Sequence, residues 1–209
     1  MKNILTLILL TLVMNGIQAQ TFSKRYNEVE NKIKWPEAFD PKSSDFYVHN
    51  EIEIKATPER VWQLLTAAKA WTTWYGGIQN IRFENPSQEV LAKNTLVFWN
   101  SMGQNLNNQV VEFEPYRALA WEFKEPKIQG YHAWLIIPTA SGCKVITAES
   151  QNGWLVGFEK TFQPKKLYRL HGIWLAELKK MPQLVNYLKY NKTDAFDFFK
   201  KWELVFDDR

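Results

Sequence analysis

The stretch IEIKATPERVW, residues 52–62, joins a strand to a helix and decides the fold. Apolar and polar side chains alternate from Phe46 into this stretch, and a period of two is typical of a half-buried strand. Thr57, Pro58 and Glu59 then supply an N-cap, a proline in the first turn and an acidic side chain near the positive end of a helix. The sequence therefore predicts a strand that passes directly into a helix.

The rest of the chain predicts one sheet and one long helix. A second short helix is expected at 70–75. Six strand-like segments follow, separated by turn residues, at 78–83, 95–99, 109–113, 119–124, 129–137 and 143–150. After Pro164 a long helix is predicted, with Pro182 as its end and an apolar stripe formed by Leu167, Leu170, Trp174, Leu175, Leu178 and Met181. A seven-stranded sheet must bury one face, and this helix is the element long enough to cover it.

Several of these segments resemble the START-like, or SRPBCC, superfamily, which includes polyketide cyclase/dehydrase and lipid-transport families. The resemblance rests on residues 52–62, on Trp71 and Trp74, on VEFEPYRALAW at 111–121 and on the final helix at 170–179. It implies an α+β helix-grip fold: a seven-stranded curved antiparallel sheet wrapped around a long C-terminal helix, with two short helices after the first strand. It also implies a mostly apolar internal cavity, and says little about function because one scaffold hosts many activities.

The first 19 residues are predicted to be a signal peptide. Lys2 precedes an apolar run at 4–14, and the small residue Ala19 suits a cleavage site. The run is shorter than the roughly 20 apolar residues that cross a bilayer. The mature chain is therefore expected to begin near Gln20 and to be exported to the periplasm or the cell exterior, with no integral membrane span.

Three further segments complete the predicted organisation: a lead-in at 20–44, a START-like domain at 45–182 and an extension at 183–209. The extension contains seven aromatic residues, too much apolar surface to leave in water, so we expect it to pack on the domain.

Composition excludes some classes of protein. The formal charge of +4 comes from scattered basic residues, whereas a nucleic-acid site needs them clustered on one element, so no nucleic-acid partner is expected. Cys143 is alone, so no internal disulfide can form, and it is interpreted as a small buried hydrophobe. The aromatic fraction of 15% exceeds the need of a compact core, which indicates that some rings line a cavity.

The last predicted hairpin supplies the best candidate for chemistry. If residues 139–142 form a four-residue loop, the strands pair Ile136 with Val145, Trp134 with Thr147, and His132 with Glu149. An imidazole and a carboxylate then share an apolar wall, where they could exchange a proton or orient a polar ligand. His132 and Glu149 are therefore catalytic candidates, although a purely structural ion pair stays open as the alternative.

The predicted ligand-contacting residues are mainly aromatic side chains expected to face the cavity, together with the polar pair: Trp74, Trp99, Trp121, His132, Trp134, Thr147, Glu149, His171 and Trp174. No metal is expected, because the three histidines lack a ligand spacing such as two histidines four apart on a helix. No cofactor is expected either.

Two functions stay open, and the sequence favours the first, because it supports an apolar cavity lining better than a full catalytic set. The first is an exported binding or carrier protein for a small hydrophobic molecule, which predicts a roomy closed pocket. The second is a cyclase- or dehydratase-like enzyme that uses the His132 and Glu149 pair, which predicts polar groups converging on one position. A third possibility, an interaction module that works through its outer surface, is disfavoured by the predicted export.

Overall fold

The computed structural model describes residues 32–190, with side chains as far as Leu184. The predicted signal peptide, residues 20–31 of the lead-in and residues 191–209 lie outside this range. All of the elements below belong to a unit that begins at Pro36.

Seven strands form a single antiparallel sheet with the order β1-β7-β6-β5-β4-β3-β2. The strands are β1 (Phe46–Ile54), β2 (Ile78–Phe83), β3 (Leu96–Ser101), β4 (Gln104–Glu114), β5 (Ala118–Lys124), β6 (Gln129–Thr139) and β7 (Gly142–Asn152). The helices are α1 (Pro58–Thr66), α2 (Trp154–Phe162) and α3 (Lys166–Tyr190), with 3-10 turns at Glu37–Phe39 and Ala68–Thr73. The predicted helix-grip fold is confirmed.

The link between β1 and α1 forms as the sequence predicts. Thr57 is the N-cap of α1, and its side chain accepts a hydrogen bond from the backbone N–H of Arg60 at 3.4 Å. Val61, Leu64 and Leu65 are fully buried, so α1 is held against the sheet by its apolar face.

The hairpin between β6 and β7 has the predicted register. Ile136 pairs with Val145, and His132 pairs with Glu149. The predicted four-residue loop is wrong, because Thr139 and Gly142 already pair and leave a two-residue turn. Gly142 has φ +150°, and a Cβ there would lie 2.2 Å from the carbonyl oxygen of Ile54, so only glycine fits the tight turn.

The long helix α3 does not end at Pro182, and the predicted boundary is wrong. Proline lacks the N–H that continues a helix and crowds the preceding turn. Here Met181 and Pro182 are both buried, and their packing offsets the lost hydrogen bond, so the helix continues to Tyr190. No helix within residues 32–190 is both long enough and apolar enough to span a membrane.

The segment after β7 forms a helix, α2, which is not among the elements predicted from the sequence. Gly153 makes the turn into this helix: its φ is +124°, and a Cβ there would lie 2.6 Å from the carbonyl oxygen of Lys127. Gly157 sits within the helix, where glycine is tolerated at a cost of roughly 1 kcal/mol.

Tryptophan rings occupy much of the space between the sheet and α3. Trp71, Trp121 and Trp134 are almost fully buried. Trp174 of α3 lies between them, with its ring centroid 5.0 Å from those of Trp71 and Trp134 and 6.2 Å from that of Trp121. The aromatic residues that the sequence assigned to cavity walls therefore fill much of the interior themselves.

Candidate functional site

Three buried titratable side chains meet where β6, β7 and α3 come together. Glu149 Oε2 lies 3.1 Å from His132 Nδ1 and 3.0 Å from His171 Nε2. The strand register brings His132 opposite Glu149, and the packing of α3 on the sheet brings in His171. Each of the three residues is at most 5% exposed. We call His132, Glu149 and His171 the histidine–glutamate cluster.

Two polar side chains of β7 brace this cluster. Thr147 Oγ1 lies 2.6 Å from His132 Nε2. Gln151 donates its side-chain N–H to Glu149 Oε1 at 2.6 Å. Thr147, Glu149 and Gln151 alternate along the strand and so project from the same face of the sheet. Both carboxylate oxygens therefore have hydrogen-bond partners.

Burial and hydrogen bonding fix the charges of His132 and Glu149. Burial lowers the pKa of His132 to about 4, although the neighbouring Glu149 opposes this change. Burial alone would raise the pKa of Glu149, but its contacts with His132 and His171 outweigh burial and hold that pKa below its usual range. At neutral pH the cluster therefore contains an ionised Glu149 and a neutral His132.

The ionised state of Glu149 determines which nitrogen of each imidazole ring carries a proton. A carboxylate only accepts hydrogen bonds, so His132 Nδ1 and His171 Nε2 must be the N–H donors. His132 Nε2 then accepts from the hydroxyl of Thr147. His171 Nδ1, the other nitrogen of that ring, is buried and has no hydrogen-bond partner in the described part of the chain; in a neutral ring with its proton on Nε2, this nitrogen carries a lone pair. The cluster thus presents one unused basic nitrogen.

Trp174 supplies an unused donor on the same helix. It follows His171 by three residues, and positions three apart share a helix face. Its Nε1–H is buried and is likewise without a partner in the described part of the chain. A hydrogen-bond acceptor and a hydrogen-bond donor, both without partners in the described structure, therefore lie on one face of α3.

A small pocket adjoins these groups. Its walls include the whole cluster and Trp174, and the β3–β4 turn contributes Met102. Its volume of about 50 Å³ is enough for roughly three to five water molecules, at roughly 10–15 Å³ for each. Pockets for larger organic ligands are usually about 300 Å³ or more. The pocket suits a molecule, or part of one, with only a few heavy atoms.

Six of the nine predicted ligand-contacting residues line this pocket: Trp99, Trp121, His132, Glu149, His171 and Trp174. Trp134 and Thr147 lie behind it, where each contacts His132. Trp74 is outside the lining and packs beside Tyr75 with 6.4 Å between ring centroids. A ligand-binding role for each of the nine stays a prediction.

Sequence reasoning missed Gln151 and Tyr75. Gln151 continues the alternation of Thr147 and Glu149 along β7, and that period of two was the available signal. Tyr75 lines the pocket and donates its hydroxyl to the carbonyl oxygen of Leu170 at 3.4 Å. No local pattern marked Tyr75, because its partner lies 95 residues away.

The cluster also bears on metal binding. Each residue of the cluster offers one atom that could bind a metal, and these three atoms lie within 4.8 Å of one another. The cluster could therefore hold an ion. The expected absence of a metal stays a prediction, because the fold joins histidines whose spacing in the sequence gave no sign of a shared site. The two imidazole rings stack with 4.6 Å between centroids and 16° between planes, and one nitrogen of each ring approaches the same oxygen, Glu149 Oε2. The described contacts are therefore hydrogen bonds within the cluster.

Comparison with known proteins places this geometry in a family. No curated protein sequence matches the chain. Among solved structures, a hypothetical protein of Helicobacter pylori, jhp0584, is 26% identical, with a TM-score of 0.67 over 71% of this chain and 95% of that one. TTHA0849 of Thermus thermophilus is 16% identical, with a TM-score of 0.53 over 65% and 95% of the two chains. Truncated norcoclaurine synthase of Thalictrum flavum is 11% identical, with a TM-score of 0.53 over 65% and 92%.

The last two likenesses concern the fold alone, since their identities are low. The family itself follows from the sequence: the model of one family matches residues 46–180, well over half of the 209-residue chain. This span contains all seven strands, the histidine–glutamate cluster and most of α3. The chain therefore belongs to the polyketide cyclase / dehydrase and lipid transport family.

Proposed function

We propose that the protein is an enzyme that moves protons on a small carbonyl compound bound beside His171. One observation carries this proposal: a buried imidazole nitrogen, His171 Nδ1, has no partner in the described structure, while Glu149 holds the opposite nitrogen of the same ring at 3.0 Å. A ring held in this way is a general base, because the carboxylate fixes the tautomer and stabilises the imidazolium that forms.

Glu149 acts in this proposal as a positioning residue. Its pKa lies below the usual range, so the carboxylate has little tendency to take a proton itself. It accepts hydrogen bonds through both oxygens, which prevents rotation of the carboxylate. Its negative charge is then available to stabilise a positive charge on His171.

His132 also acts through Glu149. Both of its ring nitrogens have hydrogen-bond partners, Glu149 and Thr147, so neither is available to a ligand. Burial keeps this ring neutral at neutral pH by lowering its pKa to about 4. The proton taken from a ligand is therefore held on His171.

Trp174 complements the base. When His171 Nδ1 removes a proton from the carbon beside a carbonyl, the electron pair of the C–H bond forms an enolate. The Trp174 N–H can donate a hydrogen bond to the enolate oxygen and stabilise its charge. The imidazolium can then return its proton to a hydroxyl that leaves, which is a dehydration, or to an oxygen that gains charge when a ring closes.

A carrier for a small hydrophobic molecule is the second candidate. The family description and the apolar walls formed by Trp99 and Trp121 favour it. A carrier needs a roomy interior, and among the described residues the tryptophans around Trp174 leave about 50 Å³ in this pocket. Room for a larger ligand would require several rings to move. The small size of the pocket and the histidine–glutamate cluster in its wall therefore support the enzyme better.

The test uses 2,4-pentanedione, a small diketone whose central carbon loses protons readily. We expect the wild-type protein to accelerate exchange of its central protons with deuterated water, as measured by proton NMR. The His171→Gln variant is expected to reduce this acceleration by a factor of about 10² to 10⁴, which is the usual contribution of a general base. Val90→Ser, which changes a residue 41% exposed in a loop, is the matched control and should exchange at the wild-type rate.

Exchange at the same rate in wild type and His171→Gln would contradict the proposal. Native mass spectrometry of protein purified from its own host then separates the two candidates. A retained lipophilic molecule, together with absent exchange, would establish carriage.

A further inference from the structure

The helix α2 presents an unusual outer face. Trp154, Phe158 and Phe162 follow one another at intervals of four residues, so they form one stripe along the helix. Their side chains are 63%, 53% and 66% exposed, and the rings of Phe158 and Phe162 contact each other with 4.6 Å between centroids. Large aromatic side chains grouped in this way on a surface mark an interaction site.

The exposure does not come from a loosely attached helix. Val156, on the opposite side of α2, is fully buried. The backbone N–H of Gly153 donates to the Asp45 carboxylate at 2.9 Å, and Lys160 donates to the backbone carbonyl of Asp45 at 3.1 Å. The stripe is thus held outward by a helix fixed on the domain.

Basic residues surround the stripe. Lys127 lies over the ring of Trp154, with 5.7 Å from its ammonium nitrogen to the ring centroid. Lys165 and Arg169 are exposed just beyond the end of α2. The acidic residue of α2, Glu159, is paired with Lys166 at 3.7 Å. The region around the aromatic face therefore carries an excess of positive charge.

An open groove continues this face. It has a volume of about 510 Å³ and is bordered by Phe162, Pro164, Lys165 and Arg169. Apolar and basic side chains meet along its edge, which is the combination that binds an acyl chain next to a negatively charged head group.

We infer that the Trp154, Phe158 and Phe162 face of α2 docks the protein onto an anionic phospholipid bilayer. Aromatic rings placed at the head-group level and lysine or arginine beside them are the composition of helices that lie in a membrane interface. The positive charge of the basic residues around the face favours a membrane that contains anionic lipids. The segment at 191–209 of this chain is a weaker candidate for covering the face. It contains four basic and five acidic residues, so it offers little net negative charge to the basic residues around the face.

The experiment is co-sedimentation of the full chain with vesicles of two compositions, phosphatidylcholine alone and an equal mixture of phosphatidylglycerol and phosphatidylcholine. The measured quantity is the binding constant for anionic vesicles relative to neutral ones. We expect at least about tenfold stronger binding to anionic vesicles, falling as salt is raised toward about 0.5 M because screening weakens surface charge attraction.

Two double variants separate the apolar and the charged contributions. Phe158→Ser with Phe162→Ser, and Lys165→Glu with Arg169→Glu, should each reduce binding to anionic vesicles about tenfold or more. Val90→Ser and Lys69→Glu change exposed residues in other parts of the domain and should bind as wild type does. Circular dichroism checks that every variant is folded.

Equal binding of wild type to both vesicle types, or unchanged binding of both double variants, would overturn the inference. So would loss of a dimer in the Phe158 and Phe162 variant, because a second copy would then be what covers this face. If the protein does not bind vesicles and the backbone amides of α2 exchange slowly with solvent, another part of the chain covers this face, and the inference is also overturned.

Discussion

Replacing Glu149 with glutamine is expected to reduce the deuterium-exchange rate of 2,4-pentanedione about 10³- to 10⁴-fold, as when the orienting carboxylate of a catalytic histidine becomes an amide. Glutamine has nearly the same shape as glutamate and can still contact both histidines. It carries no negative charge, so it cannot stabilise an imidazolium on His171. It also offers an N–H group, which can turn His171 to the other tautomer.

The control for this variant is Glu84→Gln, which changes an exposed carboxylate after β2. The exchange rate of this control should stay within about threefold of wild type, since surface substitutions rarely affect distant sites. A Glu149→Gln protein that keeps more than a tenth of the wild-type rate would remove Glu149 from the mechanism.

Trp71→Ala is expected to lower the free energy of unfolding by about 3–5 kcal/mol, because it deletes a fully buried ring and leaves a cavity. The ring centroid of Trp71 lies 5.5 Å from that of Trp99 and 5.0 Å from that of Trp174. Its indole N–H donates to the carbonyl oxygen of Leu64 at 3.3 Å. Unfolding in urea, monitored by far-ultraviolet circular dichroism, measures the change.

Trp154→Ala is the matched control, since the same ring is removed from a position that is 63% exposed. Its effect should be below about 1 kcal/mol. If Trp71→Ala is too unstable to purify, Trp71→Phe, which keeps an aromatic ring, should show a smaller loss of the same sign. A loss below about 1 kcal/mol for Trp71→Ala would mean that the interior is not tightly packed, and a carrier would again be favoured.

Local sequence signals were sufficient for the sheet and for the pairing of two of the three residues of the cluster. Alternation of apolar and polar residues identified the strands, and the turn near Gly142 fixed the register that sets His132 opposite Glu149. The register was correct although the loop length was not, because Pro138 still pairs with Cys143 and the additional pair of Thr139 with Gly142 continues the same ladder. These inferences depend only on residues within a strand or in two strands joined by a short turn.

The remaining features depend on contacts between distant segments. His171 joins the cluster only because α3 packs on the sheet with one particular rotation, which its apolar stripe alone does not specify. The size of the pocket depends on how Trp71 and Trp174 pack together. The amino-acid composition shows that the chain has many aromatic rings, but it does not show whether these rings enclose a cavity or fill it. The helix past Pro182 likewise relies on tertiary packing that overrides a local preference.

The central claim is that Glu149 holds His171 with its proton on Nε2 and leaves Nδ1 as a free base beside the pocket. Nitrogen-15 NMR of protein labelled at its three histidines tests this most directly, at about pH 9, where imidazoles are neutral. We predict protonated Nε2 on His171 and the less common protonated Nδ1 on His132, with His132 remaining neutral on acidification until about pH 4. A His171 signal showing the proton on Nδ1 would contradict the account, because that nitrogen could then accept nothing from a ligand.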